Sequence, residues 1–304
     1  RCLMRRKAYA KITLSLYAYR DGDTLKFKNV IVPIDLFDVV YLEKNEKCWN
    51  GKFSHFPKNE IIHAISSRFN GYSIGEFSGL NLAMHNGDNN EIVAKNRMLF
   101  TQSLGLEVKD IVTAQQTHSN NVVIVTAKMS GLGAVDYASA LADTDALITN
   151  VKNLPLMMFF ADCVPVLFYD PKNKVVAISH AGWKGTVSKI AQKTAMMMRE
   201  NFGTNFNELL VGIGPSIGSC CYQVGVDVTT KVRANFSLAS ELLTEKNDAV
   251  FLDLWQANKL QLLEIGLKES NIVSSSVCTN CNSELFYSYR ADNGKTGRIA
   301  AIIS

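Results

Sequence analysis

Apolar and polar residues alternate along this chain in two different rhythms. Short apolar runs bounded by polar or glycine-rich turns predict strands, and apolar residues spaced three and four apart predict helices. The predicted strands include 61–67, 111–114, 122–126, 154–169, 175–179 and 209–214. The predicted helices cover 91–104, 186–201 and 255–266. Because strands and helices interleave irregularly, the pattern favours an α+β fold built on mixed sheets.

Capping and stop residues define the ends of these helices. Thr186 is a residue type that caps helix N-termini, and Gly105 supplies a stop after the first predicted helix. Asn96 and Arg97 are polar residues of that first helix. Its apolar residues include Val93, Met98 and Leu99. This spacing predicts an amphipathic helix with one apolar face.

The chain shows no fixed-period repeat, no low-complexity segment and no long Pro/Gly linker. We therefore predict one domain over residues 21–304, with residues 1–20 as an N-terminal extension that is not placed in the fold. Near its N-terminal end, this domain contains two short apolar runs that predict strands, at 31–34 and 39–41. No signal peptide is expected, because Lys11 and Arg20 interrupt the apolar stretch after the basic opening.

Three separate segments each offer one soft metal ligand at the end of a predicted strand. The ligands are His118, Cys163 and His180. One thiolate and two imidazoles suit zinc or copper, and three protein ligands leave one coordination position open, as in catalytic sites. Strand ends are also where α/β proteins assemble sites from distant pieces of chain.

Each candidate ligand also has a simpler interpretation. Cys163 lies in an apolar run where cysteine is usually a small buried hydrophobe, and His180 could simply close a strand. Polar breaks favour the site: Asp162 interrupts the apolar run, and glycines follow His180 in a tight turn. Since a buried carboxylate without a partner is costly, Asp162 is expected to face the site or to orient a ligand.

Composition narrows the possible partners. The chain has 304 residues, 47% hydrophobic and 20% charged, with a net charge of +4. These values are ordinary for a globular protein and do not indicate a nucleic-acid partner, although a small anionic substrate remains compatible. The longest apolar run, 154–169, is broken by Asp162 and contains Pro165. It is shorter than the roughly 20 residues of a membrane helix, so no membrane partner is predicted.

The cysteines indicate a reducing compartment. Seven cysteines, an odd number, do not suit a secreted disulfide framework, so a cytoplasmic location is expected. Cys278 and Cys281 have the spacing of half a zinc ribbon or of a redox pair. No second Cys-x-x-Cys occurs, and the nearest other cysteines are the adjacent Cys220 and Cys221. A closed zinc site needs four ligands, so a structural zinc is not favoured there.

Six segments, in order along the chain, together resemble one protein family. They are Gln116-Thr-His118, Ala161-Asp-Cys163-Val-Pro165, His180-Ala-Gly-Trp-Lys-Gly185, Ile213-Gly-Pro-Ser-Ile-Gly218, Cys278-Thr279 and Phe286-Tyr-Ser-Tyr-Arg290. Further matches are Ser67-Arg68, Leu80-Asn81-Leu82 and Asn96-Arg97. On these segments the chain is identified as a member of the bacterial multi-copper polyphenol oxidoreductase, or laccase-domain, family. Members are also described as purine nucleoside phosphorylases.

The resemblance implies a single α/β domain with two mixed sheets sandwiched between helices, in four layers α/β/β/α. It implies a zinc ion held by His118, Cys163 and His180, with copper as the alternative. It also implies phosphorolysis of adenosine, inosine, guanosine or methylthioadenosine, and deamination of adenosine. Copper-dependent oxidation of phenols is the competing activity. The expected partners are thus small molecules, either a purine nucleoside with phosphate or a phenol.

Roles for individual residues follow as hypotheses. The catalytic residues are expected to be Asp162, Cys163 and Arg68, and the substrate-binding residues Arg97, Asn81, Ser216 and Arg290. Arg68 or Arg97 would supply a fork for phosphate, with surface ion pairing as the simpler alternative for both. Asp162 would stabilise positive charge on the ribose. Ser216 lies in a loop that could offer N–H groups to an anion.

Two local departures from the family pattern stand out. The family commonly has Arg-x-Gly-Gly where this chain has Asn70 at the third position. Asn tolerates the left-handed backbone better than most residues, so the turn is expected to survive. The family also has Tyr-Arg-Arg-Asp where this chain has Ala291 in place of the second Arg. That change removes one possible contact to an anion.

A multicopper oxidase needs more copper ligands than this sequence contains. A conventional multicopper oxidase uses about ten histidines over several copper centres. This chain has five histidines, which are too few for a trinuclear cluster and a blue copper. They could form one mononuclear centre. A third possibility, a metal-stabilised binding protein without catalysis, is weakened by the open fourth coordination position.

Overall fold

The computed structural model of the chain describes residues 18–21, 24–27, 40–44 and 48–304. Within these ranges the helices are α1 (Asn90–Ser103), α2 (Trp183–Val187), α3 (Ile190–Phe202), α4 (Val226–Asn235), α5 (Ala239–Leu242) and α6 (Leu254–Glu264). The first eight strands are β1 (Ala18–Asp21), β2 (Thr24–Phe27), β3 (Val40–Lys44), β4 (Trp49–Phe53), β5 (His63–Ser66), β6 (Val122–Ile124), β7 (Ala146–Thr149) and β8 (Leu156–Phe160). The others are β9 (Val164–Asp170), β10 (Val175–Ala181), β11 (Leu210–Ile213), β12 (Gln223–Val224), β13 (Leu243–Lys246), β14 (Ala249–Leu252), β15 (Ile272–Ser274) and β16 (Ile299–Ile303).

Two large sheets form the centre of the fold. The six-stranded sheet has the order β15-β11-β9-β10-β7-β6 and is mixed, because β15 and β6 run parallel to their neighbours. The five-stranded sheet has the order β3-β4-β5-β16-β8 and is antiparallel throughout, whereas we expected two mixed sheets. Strands β12, β14 and β13 form a smaller sheet, and β1 pairs with β2.

The side-chain alternation of the strands explains why the two sheets stack. In β8, Leu156, Met158 and Phe160 join one core cluster with Leu167 and Ile178 of the six-stranded sheet. The intervening residues of β8 face the opposite side of their sheet, where they pack with α1. The six-stranded sheet packs its other face against α3, α4 and α6. This confirms the expected four-layer α/β/β/α architecture.

Strand register brings the candidate ligands together. Strands β9 and β10 form a hairpin in which His180 lies opposite Pro165 and Ala181 opposite Val164. Cys163, just before β9, is therefore close to the end of β10. Strand β7 pairs with the other side of β10, and Asp145, immediately before β7, accepts at its carbonyl from the His180 N–H at 2.7 Å.

The helix expected over 186–201 is in fact two helices. α2 begins after Gly182, so Thr186 is an interior residue and not the N-cap. Lys189 has a φ of 61°, a left-handed conformation that separates α2 from α3. The turn at Asn70 forms as expected, with a φ of 65°.

Several expected elements have different outcomes. Residues 111–114 form isolated bridges in place of a regular strand. The predicted strand at 31–34 and residues 1–17 of the predicted extension lie outside the described residues. Among the described helices, none combines the length and apolar character that a membrane span needs.

Candidate metal centre and its cavity

The ligand atoms of His118, Cys163 and His180 all lie within 4.8 Å of one another. His180 is the second-last residue of β10, and Cys163 directly precedes β9. The two imidazole rings meet edge to face, with centroids 4.9 Å apart. His118 comes from a loop and has a φ of 62°, so its backbone is held in the left-handed region. The three predicted ligands thus converge from separate parts of the chain.

Asp145 holds two of these ligands in place. Its carboxylate accepts a hydrogen bond of 2.8 Å from Nδ1 of His180, which leaves Nε2 of that ring directed to the centre. It also accepts from the backbone N–H groups of His118 at 3.1 Å and Ser119 at 2.7 Å. A carboxylate behind a metal-ligating histidine fixes the ring orientation and raises ligand basicity.

Charge coupling stabilises the thiolate form of Cys163. In return, although burial disfavours the charge on His180, Cys163 and Asp145 raise its pKa to about 9, so a metal that binds Nε2 would displace a proton from His180. Burial opposes ionisation of Cys163, but His180 and His118 outweigh it and lower the pKa of the thiol to about 6. Burial likewise opposes the charge on Asp145, yet the hydrogen bond and charge of His180 lower its pKa to about 2. A thiolate is the metal-binding form of cysteine. The centre therefore presents an anionic ligand at neutral pH.

Gly182 packs directly against two of the candidate ligands. A Cβ atom at Gly182 would lie 3.0 Å from both Sγ of Cys163 and Cδ2 of His118. Glycine is needed here because any side chain would intrude between these two ligands. The set of one thiolate and two imidazoles fits zinc or copper and leaves a coordination position for substrate.

A cavity of about 540 Å³ opens over the centre. Its volume is in the range typical of small-molecule sites. Besides the three ligands it is lined by His85, Gln116, Phe159, Ala161, Asp162, Trp183, Lys184, Ile217, Tyr222, Leu254, Tyr289, Arg290 and Arg298. Aromatic rings and cationic groups thus face the same space as the metal ligands. Such a lining can accept a ligand with a flat ring and an anionic group.

Asp162 lines this cavity, but its carboxylate is also tied to the protein. Thr279 donates its hydroxyl to Oδ1 at 2.6 Å, and the backbone N–H of Arg290 donates to Oδ2 at 2.7 Å. Asp162 itself has a φ of 80°. It therefore joins the turn before Cys163 to the C-terminal segment that carries Arg290.

Of the four predicted substrate-binding residues, Arg290 lines the cavity. Its guanidinium donates to the carbonyls of Gln223 at 3.1 Å and Cys221 at 3.4 Å, and lies 5.4 Å from the ring of Tyr222. Asn81 and Ser216 are fully buried and are not part of the lining. Asn81 accepts from the Arg298 N–H at 2.8 Å, and Ser216 accepts from Trp255. Asn81 thus supports Arg298, which faces the cavity, whereas Trp255 is not part of the lining.

The two arginines proposed as a phosphate fork are placed elsewhere. Arg68 donates to the carbonyl of Ser283 at 2.8 Å and lies over the ring of Tyr287. Arg97 is 0% exposed, and it donates to the carbonyls of Leu82, Gly133 and Ala134. Neither residue is among those that line the cavity.

Sequence reasoning missed Asp145, His85 and Arg298. Arg298 reaches the cavity from the residue before β16, and its own guanidinium donates to the carbonyls of Thr296 and Gly297. Partial desolvation in the cavity and the charge of Arg298 lower the pKa of His85 to about 4, so its imidazole is neutral at neutral pH. A signal existed for Asp145, since it is a carboxylate directly before three apolar residues, 146–148, that begin a buried strand.

Substituting Asp145 by asparagine is expected to weaken metal binding by about 10- to 100-fold. The amide keeps the size of the side chain but removes the charge behind His180. The measurement is a competition titration with a chromophoric zinc chelator. Asp143 also carries a carboxylate in this loop and bonds Thr117 and Asn121. Asp143→Asn is therefore the matched control, and an equal loss in both variants would contradict a specific role for Asp145.

Comparison with known proteins agrees with the resemblance noted in the sequence. The family model described as "Multi-copper polyphenol oxidoreductase laccase" matches residues 62–304. A protein named purine nucleoside phosphorylase YlmD, from Bacillus subtilis, is 39% identical over 245 residues, covering 80% of this chain and 88% of that protein. A protein named adenosine deaminase RL5, from an unknown prokaryotic organism, is 33% identical and covers 73% of this chain and 85% of its own length. The crystal structure of YlmD from Geobacillus stearothermophilus has a TM-score of 0.83 at 33% identity, covering 86% of this chain and 98% of that one.

Proposed function

The chain belongs to the multi-copper polyphenol oxidoreductase laccase family, and we propose that within it the protein acts as a zinc-dependent purine nucleoside phosphorylase. The observation that carries the proposal is the convergence of His118, Cys163 and His180 at a cavity that two arginines also face. The names of relatives that cover most of the chain point to the same activity. Adenosine, inosine, guanosine and methylthioadenosine are the proposed substrates.

Phosphorolysis sets clear demands on the site. An oxygen of phosphate forms a bond to C1′ of the ribose while the bond from C1′ to N9 of the purine breaks. The purine leaves with the bonding electron pair and gains a proton, and the second product is ribose 1-phosphate. In the transition state the ribose carries positive charge and the base negative charge, so catalysis depends on stabilising both.

A zinc ion bound by His118, Cys163 and His180 would supply a Lewis acid at its open coordination position. The residues of the chain would determine how the substrate reaches the ion and what charge surrounds it. His118 is exposed to the cavity whereas His180 is buried, so substrate approaches the centre from the side of His118. Cys163 and Asp145 keep the ligand sphere anionic. Copper fits the same ligands, and zinc is proposed because phosphorolysis requires no change of redox state.

The cationic wall of the cavity provides the proposed phosphate site. Arg290 and Arg298 both line it, and arginine forks match the geometry of phosphate oxygens. Arg290 is exposed and uses only part of its donor set on Cys221 and Gln223. Burial lowers the pKa of Arg298, but an arginine remains charged at neutral pH. Phosphate between these residues would lie close to the metal.

The aromatic wall provides the proposed purine site. Trp183, Tyr222 and Tyr289 line the cavity and offer ring faces for a flat base. His85 also lines it and is neutral, so it can donate one hydrogen bond to a leaving purine without adding charge. Asp162 keeps unused lone pairs on both carboxylate oxygens and is proposed to stabilise the positively charged ribose.

The direct test is to incubate the zinc-loaded protein with adenosine and phosphate and to follow the products by chromatography. Adenine together with ribose 1-phosphate, in equal amounts, is the expected result. Inosine formed without phosphate would indicate the deaminase activity named for one relative, which we propose as a secondary activity. If zinc-loaded protein converts none of the four nucleosides with or without phosphate, the proposed function is wrong.

Arg290→Gln is expected to raise the KM for phosphate by about 10- to 100-fold, with a smaller effect on the KM for the nucleoside. The reason is that a charge-assisted, fork-like contact contributes about 1.5–3 kcal/mol to binding. The measurement is initial rate as a function of phosphate concentration at saturating nucleoside.

Two matched variants test this assignment of the phosphate site. Arg68→Gln removes the other arginine that the sequence suggested, and Lys295→Gln removes an exposed cation that is not part of the cavity lining. Both are expected to leave the KM for phosphate within about twofold of the parent. If the KM for phosphate rises more in Arg68→Gln than in Arg290→Gln, Arg68 is the phosphate-binding residue and the assignment to Arg290 is wrong.

The histidines argue against a multicopper oxidase. All five are in the described part of the chain. His63 accepts from the Phe53 N–H at 2.8 Å, and His55 contacts the carbonyl of Val211, so both are used in the core. Phenol oxidation at one copper bound by the three ligands is the alternative proposal. It predicts phenol turnover that requires stoichiometric copper and is lost in His118→Ala, without nucleoside turnover.

A further inference from the structure

A second group of potential metal ligands lies outside the cavity. The Sγ atoms of Cys220, Cys221, Cys278 and Cys281, here called the four-cysteine cluster, all lie within 4.8 Å of one another. Sγ of Cys281 is 3.6 Å from Cys220 and 3.4 Å from Cys221. None of the four is joined in a disulfide within the described residues, and none lines the cavity.

Two loops bring the cysteines together. The first follows β11, where the N–H groups of Cys221 and Tyr222 both donate to the carbonyl of Gly218 at 2.9 Å. The second carries Cys278, whose backbone forms a bridge with Ser216, and Asn282 donates to its carbonyl at 2.7 Å. The tertiary structure therefore places Cys220 and Cys221 beside the Cys278-x-x-Cys281 pair, which gives the four ligands that a closed zinc site needs.

Gly218 lies against the cluster, where a side chain would not fit. A Cβ atom at Gly218 would lie 2.6 Å from the ring of Trp255 and 3.3 Å from Sγ of Cys220. The Gly218 N–H donates to Sγ of Cys278 at 3.3 Å. An amide that donates to sulfur is a usual support for a metal-bound thiolate, since it offsets part of the negative charge.

We propose that the four-cysteine cluster binds one zinc ion as a closed structural site, distinct from the centre in the cavity. A tetrahedral zinc with Zn–S bonds of about 2.3 Å sets its sulfur atoms about 3.8 Å apart. The observed separations of 3.4 and 3.6 Å are close to that value, and no pair in the set is more than 4.8 Å apart. A disulfide would need the two sulfurs about 2.05 Å apart. Four thiolates arranged in this way are typical of zinc.

Zinc at this position would stabilise the part of the cavity lining that contains Arg290, Asp162 and Tyr222. Arg290 donates to the carbonyls of Cys221 and Gln223, so the first loop of the cluster holds its guanidinium. Thr279, next to Cys278, donates to Asp162, and Tyr222 follows Cys221 directly. The metal would thus link the loop after β11 to the C-terminal segment. The assignment of the site does not depend on the proposed catalytic activity.

The experiment measures zinc content in the full-length chain expressed in zinc-supplemented medium. The Cys163→Ala background removes a ligand of the cavity centre, so zinc that remains reports on the cluster. About one zinc per chain is expected in Cys163→Ala, falling to near zero when Cys281→Ser is added. Cys281→His in the same background is expected to keep about one zinc, because histidine can complete a Cys3His site. Cys48→Ala, a buried cysteine outside both groups, is the control and is expected to keep it too.

X-ray absorption at the zinc edge on Cys163→Ala gives a test without changing the cluster. Four sulfur neighbours at about 2.3 Å are expected. Zinc coordinated by nitrogen or oxygen, iron in place of zinc, or a chain that contains no metal would overturn the proposal. Mass spectrometry of the chain as isolated, with free thiols alkylated before the metal is removed, completes the test: cysteines of the cluster joined in a disulfide in that preparation would also overturn the proposal.

Discussion

Replacing Cys163 with alanine is expected to empty the cavity centre of metal and to lower kcat/KM for nucleoside phosphorolysis by about 10³-fold or more. The thiolate is the one anionic ligand among the three, and its pKa is lowered to about 6 by the neighbouring histidines. Without it, His118 and His180 form only a two-ligand site. The loss of a catalytic electrostatic contact alone costs about 10²–10³ in rate.

Steady-state kinetics and zinc content of the same preparations provide the measurement. Cys48→Ala is the control, because Cys48 is a cysteine of the core near α1, outside the cavity. Thermal unfolding of both variants shows whether the fold is retained. Cys163→Asp offers a partial rescue, since a carboxylate can also ligate zinc. The zinc content of Cys163→Ala is expected to fall by one zinc per chain, since the four-cysteine cluster is a separate group of ligands. Full activity after that loss would rule out metal-dependent catalysis at this centre.

Replacing Arg97 with methionine is expected to destabilise the protein by about 3 kcal/mol, and not to change the KM for phosphate. Its guanidinium, 0% exposed, donates to three carbonyls: 2.7 Å to Leu82, 2.6 Å to Gly133 and 2.8 Å to Ala134. Burial lowers the pKa of Arg97 to about 9, so it remains a cation at neutral pH. Methionine would fill much of the space but remove the Arg97 donor from all three carbonyls, of which Gly133 keeps the hydroxyl of Thr113 at 3.1 Å.

The free energy of unfolding from urea denaturation is the measurement, with Lys95→Met as the control. Lys95 is an exposed residue of α1 and its replacement makes the same change of charge. Kinetics below the unfolding transition then test the role in binding. A stable Arg97→Met protein with a KM for phosphate raised tenfold would support the role that the sequence suggested for this residue.

These two predictions concern different layers of the same fold. Cys163 lies between strands β8 and β9, where the chain passes from the five-stranded to the six-stranded sheet. Arg97 lies in α1, beneath Phe159 of the cavity lining, with its guanidinium 4.6 Å from that ring. The candidate ligand Cys163 therefore lies where the two sheets meet, and the buried arginine packs behind one wall of the cavity.

The amphipathic pattern of α1 shows where sequence reasoning was limited. The position of the helix was predicted to within one residue at each end. Yet Met98, taken as apolar, is 46% exposed, whereas Asn96 and Arg97 are fully buried. Both polar side chains are buried because they bond backbone carbonyls of the loops packed on the helix. Residue polarity alone does not reveal that such partners exist.

The sequence by itself determined the secondary structure of most of the core, the three candidate metal ligands and the family. These depend on local patterns, such as strand alternation, a left-handed turn at Asn70 and ligand types at strand ends. Only the tertiary structure decided which polar residues surround the centre. Asp145 reaches His180 through the pairing of β7 with β10, and Cys220 meets Cys281 across 61 residues of sequence. Such contacts follow from strand register and loop packing, which no local spacing of residues encodes.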